Sequence, residues 1–141
     1  MSGLDVIVDT NVFVSARNRH ERGNPACRKL LDRIDQGEFR AMVATITIAE
    51  LRAGISPEEV RTVWKVMLSH LLTSSSYQVE SVDADIAEAA EELRATSRLT
   101  PPDATVVATG QLRGASLLLT RDKELALRQS VLPVKSPDDL D

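Results

Sequence analysis

Short β-branched runs alternate with longer stretches of helical periodicity from one end of the chain to the other. The first run, Val6-Ile7-Val8, reads as a buried strand ending on Asp9. Thr10 to Arg17 turns away as a short helix, and Gly23-Asn24-Pro25 opens another. That second helix places Cys27, Leu30, Leu31 and Ile34 at helical spacing and stops at Gly37. Arg40 to Ala44 predicts a second strand, and Thr47 begins a short helix that Gly54 ends. Ser56-Pro57-Glu58-Glu59 predicts a helix start, with an N-cap serine, proline at the first helical position and glutamate at the third. As far as Leu72 that helix gathers Val60, Val63, Trp64, Met67, Leu68 and Leu71 within an arc of roughly 140°.

The second half repeats the alternation. Tyr77 to Val82 predicts a third strand, and Asp83 to Ala95 a helix with Ile86, Ala89, Ala90 and Leu93 inward. Thr100-Pro101-Pro102-Asp103 opens a helix that ends before Gly114. Ser116 to Leu119 is the most apolar strand, followed by Thr120-Arg121-Asp122 and a short helix. Val131 to Val134 predicts an edge strand, because Pro133 withholds a donor from the ladder. Strands separated by helices predict an α/β fold, a three-layer α/β/α sandwich around a central parallel sheet. With no internal repeat and no long linker, residues 1–141 are expected to form one domain.

Composition narrows the class. Hydrophobic residues are 43% and charged residues 27% of the 141, which excludes a disordered tail, a fibre and a disulfide scaffold. The lone Cys27 lies on an apolar helix face, where core packing is the expectation, and it cannot form an internal disulfide. No apolar run approaches the roughly 18 residues of a membrane span. The start, Met1-Ser2-Gly3-Leu4-Asp5, lacks the basic region of a signal peptide. A cytoplasmic, non-membrane protein is expected. The formal charge is −4, from 17 basic and 21 acidic residues, yet 13 of the basic residues are arginine, which binds phosphate bidentately.

The candidate chemistry is acidic. In an open parallel sheet, ligands bind beyond the carboxyl ends of the strands. Asp9 closes the first strand, Asp122 follows the strand ending at Leu119, Glu50 follows the second strand, and Asp103 stands in the first turn of a helix. Four carboxylates from distant segments would converge if the strands bearing Asp9 and Asp122 are neighbours. Like charges held together raise one another's pKa, a conflict that a divalent cation removes. Oxygen-only ligands favour Mg²⁺ or Mn²⁺, and such a site suits phosphodiester hydrolysis. Asn11, Ser15 and Thr120 are candidates to orient the carboxylates or their waters. Each acidic residue also has a capping role open to it: Asp103 three after Thr100, Glu50 three after Thr47, Asp122 and Asp9 at helix starts. Arg17, Arg19 and Arg22 read as a solvated loop, and His20 and His70 stand apart from the acidic segments.

Three segments carry a family resemblance. Val6-Ile7-Val8-Asp9-Thr10-Asn11-Val12-Phe13-Val14-Ser15 resembles the opening motif of PIN-domain nucleases, and Ala44 to Leu51 their second motif. Pro102-Asp103-Ala104 with Leu119-Thr120-Arg121-Asp122 resembles the third and fourth. Length and the Pro-Asp-Ala form are most similar to VapC-like toxins of toxin–antitoxin pairs. The resemblance implies a magnesium-dependent endoribonuclease acting on RNA, with Asp9, Glu50, Asp103 and Asp122 as metal ligands. It further implies a homodimer and a small antitoxin that masks the site. The apolar face of the Ser56–Leu72 segment suits an antitoxin groove, a dimer contact or plain core burial. Leu125 departs from the family, which often has an aromatic there. Two other readings stay open: a phosphatase using Asp9, disfavoured by Asn11 where that chemistry has a second aspartate, and a non-catalytic protein binding RNA or a partner.

Overall fold

The computed structural model describes residues 4–140; the Met1-Ser2-Gly3 start lies outside them. Five parallel strands form one sheet in the order β3-β2-β1-β4-β5, with β1 at Leu4–Val8, β2 at Phe39–Ala44, β3 at Tyr77–Glu80, β4 at Leu117–Leu119 and β5 at Val134–Lys135. β1 is central and its last three residues are fully buried, as its uninterrupted apolar run requires when both faces are covered.

Period-two alternation sorts the strand residues between two cores. Val6, Val8, Val43 and Leu119 pack with Phe13, Cys27, Leu30, Ile34, Trp64 and Leu71, contributed by α1 (Thr10–Arg17), α2 (Asn24–Asp35) and the segment ending in α4 (Lys65–Thr73). Ile7, Met42 and Leu118 pack with Ile86, Val107 and Leu125, from α5 (Ala84–Thr96), α6 (Pro101–Arg113) and α7 (Glu124–Arg128). This is the α/β/α sandwich that the alternation predicts. Leu125 is buried among its neighbours without an aromatic ring. Between β2 and the 57–73 segment, α3 (Thr45–Ala53) packs against β2, α1 and α6.

Several boundaries differ from expectation. The helix expected from Ser56 is a 3-10 turn at Pro57–Glu59, a π turn at Val60–Trp64 and only then α4. The Ser56 hydroxyl donates to Glu59 Oε1 at 3.0 Å instead of capping a backbone N–H, and β-branched Val60, Thr62 and Val63 weaken the α-form. Its apolar face is nonetheless inward, with Trp64 and Leu71 buried. β3 stops at Glu80 because the Val82 N–H is taken by Thr45 Oγ1 at 3.1 Å. The edge strand begins later than expected, since Gln129 pairs both its amide groups with the Leu132 backbone, holding that stretch in a loop. α3 begins at Thr45 rather than Thr47.

Gly114 ends α6 in the left-handed region at φ 86°, with open space where a Cβ would be. Gly114→Ala is therefore expected to lower stability through the backbone alone, by about 1 kcal/mol or roughly 3 °C of melting temperature. Gly54→Ala, at φ −86° with ordinary contacts, is expected to be neutral or slightly stabilising. Thermal melts of both variants check this; equal shifts would contradict it.

Candidate active site

The strand order reverses direction between β1 and β4, the place where an open α/β sheet leaves a crevice. Val8 lies beside Leu119, and the Asp9 N–H donates to the Leu119 carbonyl at 3.0 Å. Asp9 and Thr120 thus leave adjacent strands side by side, the neighbour relation that the acidic cluster needed.

Asp9 is 7% exposed. Its Oδ1 accepts the Thr10 N–H at 2.8 Å, capping α1, and its Oδ2 accepts the Thr120 hydroxyl at 2.8 Å. Asn11 Nδ2 donates to Thr120 Oγ1 at 3.0 Å and reaches Asp9 Oδ2 at 3.5 Å. These donors favour the charged form, but burial outweighs them, and the charges of Asp103 and Glu50 push the same way. The Asp9 carboxyl is raised to about 6. Asn11 and Thr120 thus form a hydrogen-bonded pair beside the Asp9 carboxylate.

The other three carboxylates arrive from three directions. Glu50 is exposed on α3 and accepts the Thr10 hydroxyl at 2.6 Å. Because α3 starts at Thr45, Thr47 lies inside the helix and makes no capping box with Glu50; its buried hydroxyl has no partner. Asp103, half-buried in the first turn of α6, has both roles at once. Its N–H donates to Thr100 Oγ1 at 3.3 Å, while burial and the charges of Asp122 and Glu50 raise its carboxyl against the hydrogen bond from Thr100. Asp122 receives the Glu124 N–H on Oδ1 at 3.0 Å, and its own N–H donates to Thr120 Oγ1 at 3.1 Å. Capping and clustering coexist here.

The four are linked through their fields: Asp103 and Glu50 act on Asp9, and Asp122 and Glu50 act on Asp103. Their chemistry, carboxylate oxygen throughout with one buried member, fits a hard divalent cation. Their present arrangement is open, since among the described residues no three His, Cys, Asp or Glu side chains are set to hold one ion. Glu50 is turned to Thr10 and Asp122 to the start of α7.

Ser15 does not join them. It is buried, donates to Glu21 Oε2 at 2.5 Å and accepts from Arg121 Nη1 at 2.8 Å. Arg17, Arg19 and Arg22 are exposed, Arg17 lying 3.5 Å from Glu59. Cys27 is core, and burial pushes its thiol up. His70 pairs with Asp35 at 2.9 Å on the rim of a different feature, an apolar cleft of about 350 Å³ between α1, α2 and α4 that includes Phe13, Leu31, Met67 and Tyr77. Sequence reasoning missed Thr10, Glu21 and Arg121. Thr10 and Arg121 stand next to Asp9 and Asp122, and that adjacency was the available signal.

No curated protein matches the chain. Among solved structures, FitAcB from Neisseria gonorrhoeae is similar at TM-score 0.70 and 20% identity, covering 96% of this chain and 99% of that one. VapBC2 from Rickettsia felis, bound to a DNA fragment from their promoter, is similar at TM-score 0.71 and 18% identity over 94% and 98%. VapC20 from Mycobacterium tuberculosis, described as a Sarcin-Ricin loop cleaving toxin, is similar at TM-score 0.67 and 19% identity over 86% and 93%. At these identities the likeness establishes the fold. The family model of the PIN domain matches residues 6–129, from the first strand through α7, and the chain belongs to that family, whose members are nucleases.

Proposed function

We propose that the protein is a divalent-metal-dependent endoribonuclease, the toxin of a toxin–antitoxin pair, with Asp9, Glu50, Asp103 and Asp122 as its metal-binding and catalytic carboxylates. The observation that carries this reading is the buried Asp9 at the β1/β4 switch, raised to about 6 and acted on by two of the other three. Asp9, Asp103 and Asp122 would hold Mg²⁺ or Mn²⁺, and Glu50 would bind metal or position the attacking water. A cation there would neutralise the carboxylates and the charge developing on the phosphate. Thr120 and Thr10 aim Asp9, and Asn11 locks the Thr120 hydroxyl toward it. Asp103 and Asp122 are both half-buried, and the charge of Asp122 acts on Asp103.

Support for the toxin reading comes from the similar structures, which include a toxin–antitoxin complex from Klebsiella pneumoniae and a Sarcin-Ricin loop cleaving toxin. A small antitoxin is the proposed partner, and the apolar cleft beside α4 is its proposed seat. The same reading includes a homodimer. Among the described residues no helix is long and apolar enough to cross a membrane.

The test is cleavage of total RNA by wild type and Asp9→Asn, with Mg²⁺, Mn²⁺ or EDTA. Wild type is expected to give discrete products that EDTA abolishes, and Asp9→Asn to lose about 100-fold or more in rate. Metal-independent cleavage, or an active Asp9→Asn variant, would overturn the reading; a folded wild type that cleaves nothing would favour a binding role.

Asp9 also sets a pH dependence. An unfolded aspartate titrates near 3.8 and the folded one at about 6, so between those values the folded state binds more protons. Stability contributed by the protonated form is lost as pH rises through that window, a deficit of about 3 kcal/mol at neutral pH. In EDTA, the melting temperature of Asp9→Asn minus that of wild type is expected to grow from pH 4.5 to 7.5. A difference that shrinks over that range would contradict the raised carboxyl.

A further inference from the structure

Arg121 separates Thr120 from Asp122, and its side chain leaves the carboxylates for the connection between α1 and α2. There Nη1 donates to Ser15 Oγ at 2.8 Å and to Glu21 Oε2 at 3.0 Å, and Ser15 itself donates to Glu21. The guanidinium lies flat on Gly23: a Cβ at that position would come within 2.4 Å of Arg121 Cζ and Nε. Nε is buried against that backbone without a partner, a desolvation accepted only because the other arm is fixed. Asn24 ties the same connection to the end of α1, donating to the Ser15 carbonyl at 2.7 Å.

The main chain of Arg121 belongs to the candidate active site. Its N–H donates to Asn11 Oδ1 at 3.0 Å; Asn11 donates to Thr120 Oγ1; Thr120 donates to Asp9 and accepts the Asp122 N–H. Two carboxylates that follow different strands thus meet at one turn, which the Asn11 side chain holds from one side and the Arg121 guanidinium from the other. We propose that Arg121 is a positioning residue for cleavage, its guanidinium braced by Ser15 and Glu21 over the bare Gly23 so that the Thr120–Asp122 turn holds Asp9 and Asp122 in working register. This role rests on the nuclease reading above. Arg121 spends its charge on Glu21, so it orders the site and does not bind the substrate.

Three variants loosen the brace in different ways. Arg121→Lys keeps the charge but loses the planar guanidinium that rests on Gly23, and Glu21→Ala removes the anchor. Gly23→Ala suits its φ of −82° and only displaces the guanidinium. Each is assayed for RNA cleavage well below its melting temperature, with amide hydrogen exchange on the same samples. All three are expected to lose about tenfold in kcat with KM for RNA nearly unchanged and more Mg²⁺ needed for half-maximal rate. Exchange at the Arg121 and Asp122 amides should quicken, while Ile7 and Leu118 stay protected. A raised KM would make Arg121 a substrate contact and overturn the proposal. So would unchanged kcat with loosened amides, the result of a brace that only stabilises the fold. Amides that stay protected in all three variants would overturn it as well. A wild type that cleaves no RNA removes the nuclease reading and this role with it, whereas an active wild type with unaffected variants removes the role alone.

Discussion

A carboxylate at the end of a strand buried on both faces is the constraint around which the rest is arranged. Asp9 is nearly inaccessible, and two hydrogen bonds do not compensate its lost hydration, so its proton is held to about 6. Such a group survives where it stands because surrounding structure over-determines it. β1 cannot shift without exposing Val6 and Val8 or Ile7, and α1 begins on the Asp9 side chain itself. The neighbouring strand presents Thr120 at the one register that reaches Oδ2. Packing and hydrogen bonding together keep an unfavourable charge available for chemistry.

The alternation of strands and helices was legible because β-branched runs and helical periodicity are local signals, and the two-faced core follows from the uninterrupted Val6-Ile7-Val8 run of β1. The sheet order was not local. That β1 stands between β2 and β4 depends on long-range packing, and only then do Asp9 and Asp122 come to one edge. The 57–73 segment shows a limit of capping logic: Ser56, Pro57 and Glu59 spell a helix start, yet the serine bonded the glutamate and the backbone tightened, then widened, before settling into α4.

The four acidic positions were legible as a pattern of strand-end and helix-start carboxylates, together with Asn11 and Thr120. Ser15 was placed among them by proximity in sequence, but a helix turns it to the opposite side, where it meets Arg121 and Glu21. The contact between Arg121 and Glu21 spans 100 positions and leaves no trace in either local pattern. The contact of Thr10 with Glu50, across 40 positions, is hidden for the same reason.

The proposed site gathers these carboxylates at a switch point, with separate elements holding each of them. The measurement that bears most directly on this is a calorimetric titration of Mg²⁺ into wild type and into Asp9→Asn, Glu50→Gln, Asp103→Asn and Asp122→Asn. The account predicts saturable binding by wild type that is weakened in all four variants. Absence of binding by folded wild type, or variants that bind as wild type does, would contradict it.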